Sequence, residues 1–171
     1  DLLLAIVKLL EDRLNVDQDI ESVGVQVILF VENSIQFYSA ILPYLYKHVF
    51  VQSRSFMTEA LNEHEQMLRM RGRPKILLAR NYEEAKDLYD KYKRNILGVV
   101  SDVRFEREGE IDATAGLKLA SYMRSQDRFL PIILESSEEV NREASKQLAA
   151  VFINKNSKTM HLELKEAVTT T

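Results

Sequence analysis

This chain of 171 residues contains no cysteine. That excludes disulfide staples and thiolate metal sites, and the composition suits a reducing, cytoplasmic compartment. Glycine is scarce, with five residues. None of them builds a glycine-rich phosphate loop, which excludes most nucleotide-binding fingerprints. No nucleophile-elbow motif is present for a Ser-His-Asp hydrolase. No apolar run reaches the roughly 18 residues expected of a membrane span. The opening Asp1-Leu-Leu-Leu-Ala-Ile-Val-Lys lacks a basic n-region and a small-residue cleavage site, so it makes a poor signal peptide. His48, His64 and His161 show no metal-ligand spacing with one another. Net charge is only −3, so no global field draws the chain to nucleic acid or to an anionic membrane. Starting at Asp1 rather than Met, the chain reads as a segment of a longer protein.

What is present is a globular pattern. A hydrophobic content of 46% and a length of 171 residues suffice for one domain with a full core plus an appendage. Leu2, Leu3, Ile6, Val7, Leu9, Leu10 and Leu14 recur at steps of three and four, which predicts an amphipathic helix over 2–14. Residues 15–24 are polar and read as a linker. The expected division is therefore a helix and linker over 1–24 and one domain over 25–171.

In that domain, 25–31 is short and β-branched and reads as a strand. Residues 34–71 keep a helical period through Phe37, Tyr38, Ile41, Leu42, Leu45, Val49, Phe56, Ala60, Met67 and Leu68. Ser34 is a plausible N-cap, Gly72 and Pro74 form a stop signal, and Pro43 should bend or break the helix. Such a helix would run roughly 50 Å. It either folds back near 52–55 or projects, and one long, kinked, projecting helix is the reading adopted. Strands then alternate with helices: strands over 75–79, 96–101, 130–134 and 151–153, and helices over 81–92, 113–124, 138–149 and 158–168. That alternation predicts right-handed βαβ units and a doubly wound α/β fold. The expected architecture is flavodoxin-like, a five-stranded parallel sheet of order 2-1-3-4-5 with an extended first helix and an extra N-terminal helix.

Chemistry collects where the strands end. The first runs into Glu32-Asn33, the third into Asp102, the fourth into Glu135-Ser136-Ser137, and the fifth into Asn154-Lys155. Groups at the carboxyl ends of parallel strands face the binding crevice. Two acids, a hydroxyl and an ammonium there could hold a phosphoryl group and a divalent metal. Each residue alone has a blander reading. Asp102 could cap its loop, one of Ser136 and Ser137 could cap the helix at 138, Lys155 could be solvated, and Phe152 could be core. The coincidence of four carries the sharper reading.

On these residues the chain, from Val25 to about Val168, resembles a response-regulator receiver (CheY-like) domain of an atypical kind. The matches are Glu32 in the acidic pair, Asp102 as the phosphoaccepting aspartate, Ser136 after Leu-Pro-Ile-Ile-Leu, and Lys155 closing Phe-Ile-Asn-Lys. The resemblance implies a phosphoacceptor module in two-component signalling or phosphorelay. Asp102 would be nucleophile and metal ligand, with a histidine kinase or small molecule as phosphodonor. Because charge spreads over the transferring group, positioning and cations supply most of the catalysis. Mg2+, a hard cation taking oxygen ligands, would be held by Glu32, Asn33, Asp102 and the backbone carbonyl of Arg104. Lys155 would neutralise one phosphoryl oxygen. The Ser136 hydroxyl would donate to another, drawing its loop inward. Phe152 matches the aromatic switch position.

Two departures qualify the resemblance. Asn33 stands where a carboxylate usually meets the metal, which implies weak Mg2+ binding and slow phosphorylation. Asn156 follows Lys155 where the family has proline, often after a cis bond, and a cis bond is improbable without proline. The loop over 105–112 is also longer and more charged than usual.

Two readings therefore stay open. One is a phosphoacceptor regulatory domain, not an enzyme beyond self-phosphorylation from small donors. The other is a phosphorylation-independent pseudo-receiver used for protein interaction or dimerisation. A phosphatase using Asp102 ranks below both, because Arg104 stands where a second acid would be expected.

A narrower resemblance joins Arg-Pro-Lys-Ile-Leu-Leu-Ala and Leu-Gly-Val-Val-Ser-Asp-Val-Arg-Phe to receiver-like regions beside pyruvate-phosphate-dikinase-type domains in large bacterial proteins. It implies neighbouring domains in a larger chain. The apolar Leu2, Leu3, Ile6, Leu9 and Leu10 are too many to leave in water and predict a homodimer through the helices. Arg71-Gly-Arg-Pro matches an AT-hook core, but cations followed by Gly and Pro also end a helix, and a strand follows at once, so no DNA binding is expected. His64 reads as solvated, and Met67 and Met70 as packing.

Overall fold

The computed structural model describes residues 2–57 and 72–170. The strands are β1 (Val27–Val31), β2 (Lys75–Ala79), β3 (Ile96–Asp102), β4 (Phe105–Arg107), β5 (Glu110–Asp112), β6 (Ile132–Ser136) and β7 (Val151–Asn154). The helices are α1 (Leu2–Val23), α2 (Ile35–Met57), α3 (Tyr82–Tyr92), α4 (Ala115–Gln126), α5 (Asn141–Gln147) and α6 (Met160–Thr170). Five strands pair in parallel in the order β2-β1-β3-β6-β7. This is the expected order 2-1-3-4-5 once the separate hairpin β4–β5 is left out of the count.

Successive strand residues point to opposite faces, and both faces are covered. Ile28, Phe30, Val100, Ile133 and Ile153 pack against α2 and α6. Leu29, Val31, Val99, Ile132 and Leu134 pack against α3 and α4. The start of α4 lies hard against the end of β3: a Cβ added at Gly116 would stand 2.1 Å from the Asp102 carbonyl oxygen. Only glycine permits that approach, and the Gly116 N–H donates to the Val103 carbonyl at 2.9 Å.

The linker expected over 15–24 is not there. α1 continues to Val23 and stops where Gly24 adopts φ 68°. Its buried stripe runs through Asp12, Val16 and Asp19, so a search for apolar periodicity misses it. Asp12 is fully buried and accepts from Arg73 (2.7 and 3.3 Å), the Tyr46 hydroxyl (2.8 Å) and the Ile76 backbone N–H (2.9 Å). Asp19 pairs with Lys75 at 2.7 Å. These bonds fasten α1 along the β2 edge of the sheet.

Ser34 accepts from the Phe37 N–H and starts α2 as predicted. The helix runs unbroken through Pro43 and through 52–55, so neither a break nor a fold-back occurs there. The rest of the expected long helix, with Ala60, His64, Met67, Met70 and Arg71, lies outside the described residues. The segment read as a charged loop over 105–112 is a hairpin. Glu108 (φ 55°) and Gly109 (φ 83°) make the tight two-residue turn that matches strand twist. Phe105 is fully buried beneath it. α5 is shorter than expected, because 138–140 form a turn in which the Asn141 N–H donates to the Glu138 carbonyl. No described helix is long and apolar enough to cross a membrane.

Candidate functional site

The face that buries Phe30, Val100, Ile133 and Ile153 continues, two residues on, to Glu32, Asp102, Glu135 and Lys155. The period-2 alternation of the strands thus carries three carboxyls and one ammonium to the same end of one face. The Lys155 Nζ stands 2.8 Å from Glu32 Oε2 and 3.1 Å from Asp102 Oδ2. It also lies 3.9 Å from the centroid of the Phe37 ring. The other Glu32 oxygen accepts the Ser34 N–H at 3.0 Å, and the other Asp102 oxygen accepts the Val103 N–H at 2.8 Å. Glu32 is fully buried, and Asp102 retains 7% exposure. Burial and the charge of Asp102 push Glu32 above the usual carboxylate range, against the pull of Lys155. Burial alone would lower Lys155, but the charges of Asp102 and Glu32 outweigh it and hold the ammonium above its ordinary value.

Glu135 is the residue that sequence reasoning missed. It is wholly buried, and neither carboxyl oxygen has a hydrogen-bond partner among the described residues. Burial raises it to about 8; Lys155 opposes this, while Glu32 and Asp102 add to it. The signal was available: an acid occupies the core-facing position two residues after Ile133 in an apolar strand.

The structure brings Glu32, Asp102 and Lys155 together but turns Ser136 elsewhere. The Ser136 hydroxyl accepts from the Glu138 N–H (3.0 Å) and from Asn141 Nδ2 (2.9 Å); it closes the turn ahead of α5 and is not the helix cap expected of one of the two serines, because α5 starts only at Asn141 and its N-cap position is Val140. Asn33 is half-buried and lines an open cleft with Arg80, Asn81, Glu84 and Glu106. The Arg104 side chain is exposed. Phe152 is half-buried beneath the Arg142 guanidinium, 4.7 Å from its ring centroid. Arg142 also pairs with Glu139. Among the described residues, no group of three His, Asp or Glu side chains is arranged to hold a metal ion. Carboxylate oxygens of Glu32 and Asp102 meet at Lys155. That set suits a hard cation, although the ammonium of Lys155 occupies the space between the carboxylates.

No protein-family model matches the chain, and no curated protein matches it. Solved structures do. A response regulator receiver domain protein from Clostridium thermocellum superposes with a TM-score of 0.60 at 11% identity, over 85% of this chain and 93% of that one. The response regulator TrrA of Thermotoga maritima, in complex with Mg2+ and BeF, gives 0.55 at 20% identity over 85% and 98%. The CheX–CheY–BeF3–Mg2+ complex from Borrelia burgdorferi gives 0.55 at 18% over 86% and 90%. The narrower resemblance to pyruvate-phosphate-dikinase-type proteins gains no support from these structures. What the likenesses do show is architecture: the chain has the flavodoxin-like fold of CheY-type receiver domains.

Proposed function

We propose that this chain is a receiver-type regulatory module of two-component signalling in which Asp102 accepts a phosphoryl group. The observation that carries the reading is Lys155, which spans Glu32 and Asp102 at the strand ends. In the reaction, a carboxylate oxygen of Asp102 bonds to the phosphorus of a histidine kinase or small donor. The bond to the donor breaks, and its electron pair leaves with the donor group. Lys155 offers positive charge to the oxygens of the incoming group, and Glu32 holds Lys155 in place. Glu32, Asn33, Asp102 and the carbonyl of Arg104 would hold Mg2+, which supplies further charge neutralisation when bound. Asn33 brings no charge to that set, so binding is weak. Two of the similar proteins are complexes with Mg2+ and beryllium fluoride, which favours this chemistry here. The module is regulatory rather than enzymatic, it acts in the cytoplasm beside further domains, and it associates as a homodimer through α1.

A second reading is favoured by Asn33 and by the engagement of Lys155. The Lys155 ammonium is already bound by both Glu32 and Asp102, and Asn33 brings no charge for a metal that would offset those carboxylates, which suits a pseudo-receiver engaged through protein contacts alone. Titration with Mg2+ and beryllofluoride separates the two, with acetyl phosphate and intact mass as a second readout. Saturable binding and an added phosphoryl mass in native protein, both absent in Asp102→Asn, support the first reading. No adduct in either protein leaves the second.

A further inference from the structure

A lysine ammonium has three N–H donors and no acceptor. Two sides of the Lys155 ammonium are taken by carboxylates, Glu32 Oε2 at 2.8 Å and Asp102 Oδ2 at 3.1 Å. The Phe37 ring covers another, with its centroid 3.9 Å from Nζ. A hydrogen-bonded oxygen stands roughly 3 Å from its nitrogen, so none fits between ammonium and ring. The Lys155 side chain keeps only 16% exposure. Phe37 lies in the first turn of α2, and Glu32 helps to place it. The Ser34 N–H donates to Glu32 Oε1 at 3.0 Å, and the Phe37 N–H donates to Ser34 Oγ at 3.3 Å. Phe37 also packs against the core beneath α2. One carboxylate therefore holds the ammonium with one oxygen and, through Ser34, the aromatic that faces it with the other.

We propose that Phe37 is a positioning residue: its ring keeps Lys155 on Glu32 and Asp102, and a phosphoryl-type anion at the Asp102 rim reaches the ammonium only when ring and ammonium part. The inference rests on the phosphoacceptor reading. Anion binding gives up the attraction between ring and cation, which is strongest where water is excluded. Leucine at 37 keeps an apolar side chain against the core but has no ring to attract the ammonium. Tyrosine keeps the ring.

The test compares native protein, Phe37→Leu and Phe37→Tyr in two measurements. One is beryllofluoride affinity at saturating Mg2+. The other is the rate at which acetic anhydride acetylates Lys155, read by peptide mass spectrometry against the exposed Lys146 of the same chain. Phe37→Leu should bind beryllofluoride roughly 2- to 30-fold more tightly, the range that a cation–π contact spans, and its Lys155 should be acetylated faster. Phe37→Tyr should match native protein in both. Unchanged or weaker beryllofluoride binding in Phe37→Leu overturns the inference. So does a gain without faster acetylation of Lys155, or a Phe37→Tyr variant that behaves as Phe37→Leu does. If neither native protein nor Phe37→Leu binds beryllofluoride, the phosphoacceptor reading falls and this inference with it, whereas native binding that Phe37→Leu leaves unimproved overturns this inference alone.

Discussion

Asp12 of α1 and Arg73, just before β2, form a buried ion pair with Nη2 to Oδ1 at 2.7 Å. They are 61 residues apart in sequence, and the pair ties the N-terminal helix to the sheet. Removing one partner strands a buried charge, which typically costs about 3–5 kcal/mol. Asp12→Ala should lose stability on that scale in equilibrium urea unfolding, and it also removes the carboxylate to which the Tyr46 hydroxyl and the Ile76 N–H donate. A loss under about 1 kcal/mol, within the range of exposed pairs, would mean that α1 is not integral to the domain.

Glu135 predicts a pH dependence with a definite sign. Its carboxyl sits at about 8 in the folded protein against an ordinary 4.5. Between those values the folded state keeps a proton that the unfolded chain has released. Stability from this group is therefore fully present below about 4.5 and falls as pH rises, by at most about 1.4 kcal/mol per pH unit, until the folded carboxyl ionises. Denaturant unfolding of native protein and Glu135→Gln across this window should show the native protein weakening relative to the variant as pH rises. Parallel curves would contradict the assignment.

Asn33→Asp adds the missing charge to the oxygen set at the end of β1. Mg2+ affinity, read by calorimetry, should rise several-fold or more. Unchanged affinity would indicate that the cation, if it binds, does not approach Asn33.

Leu3, Val7, Leu10 and Leu14 lie on α1 at steps of four, three and four, with exposures of 71%, 42%, 59% and 81%. That is the spacing of a two-helix seam. Light scattering at tens of micromolar should report a dimer for native protein and a monomer for Leu10→Glu/Leu14→Glu. A monomeric native mass would exclude the seam.

The strands and their order were legible because β-branched runs bounded by polar strand ends admit few alternatives. The convergence of Glu32, Asp102 and Lys155 was legible for a related reason: a parallel sheet carries the ends of its strands to one rim. α1 was underestimated because its second half is buried through Asp12 and Asp19, whose partners Arg73 and Lys75 are distant in sequence. The hairpin escaped notice because three-residue strands rich in charge carry almost no periodic signal, and Phe105 is the one buried residue of the two strands. The Ser136 hydroxyl is held by the Glu138 N–H and Asn141 Nδ2 rather than joining Glu32, Asp102 and Lys155, and no strand pattern encodes that orientation. Glu135 was overlooked because an acid beside a serine at a strand end reads as part of a loop, whereas the pleat directs it inward.

The seating of α1 also bears on how this chain behaves when it is shortened. The outer margin of β2 is the kind of surface on which foreign strands add and aggregates seed, and here Asp12 accepts the Ile76 N–H along that margin. A shortened version beginning at β1 would uncover it and release Arg73 and Lys75 from their countercharges. Such a truncation, convenient as it looks for isolating the αβ core, would produce a sticky molecule whose self-association says nothing about the native assembly.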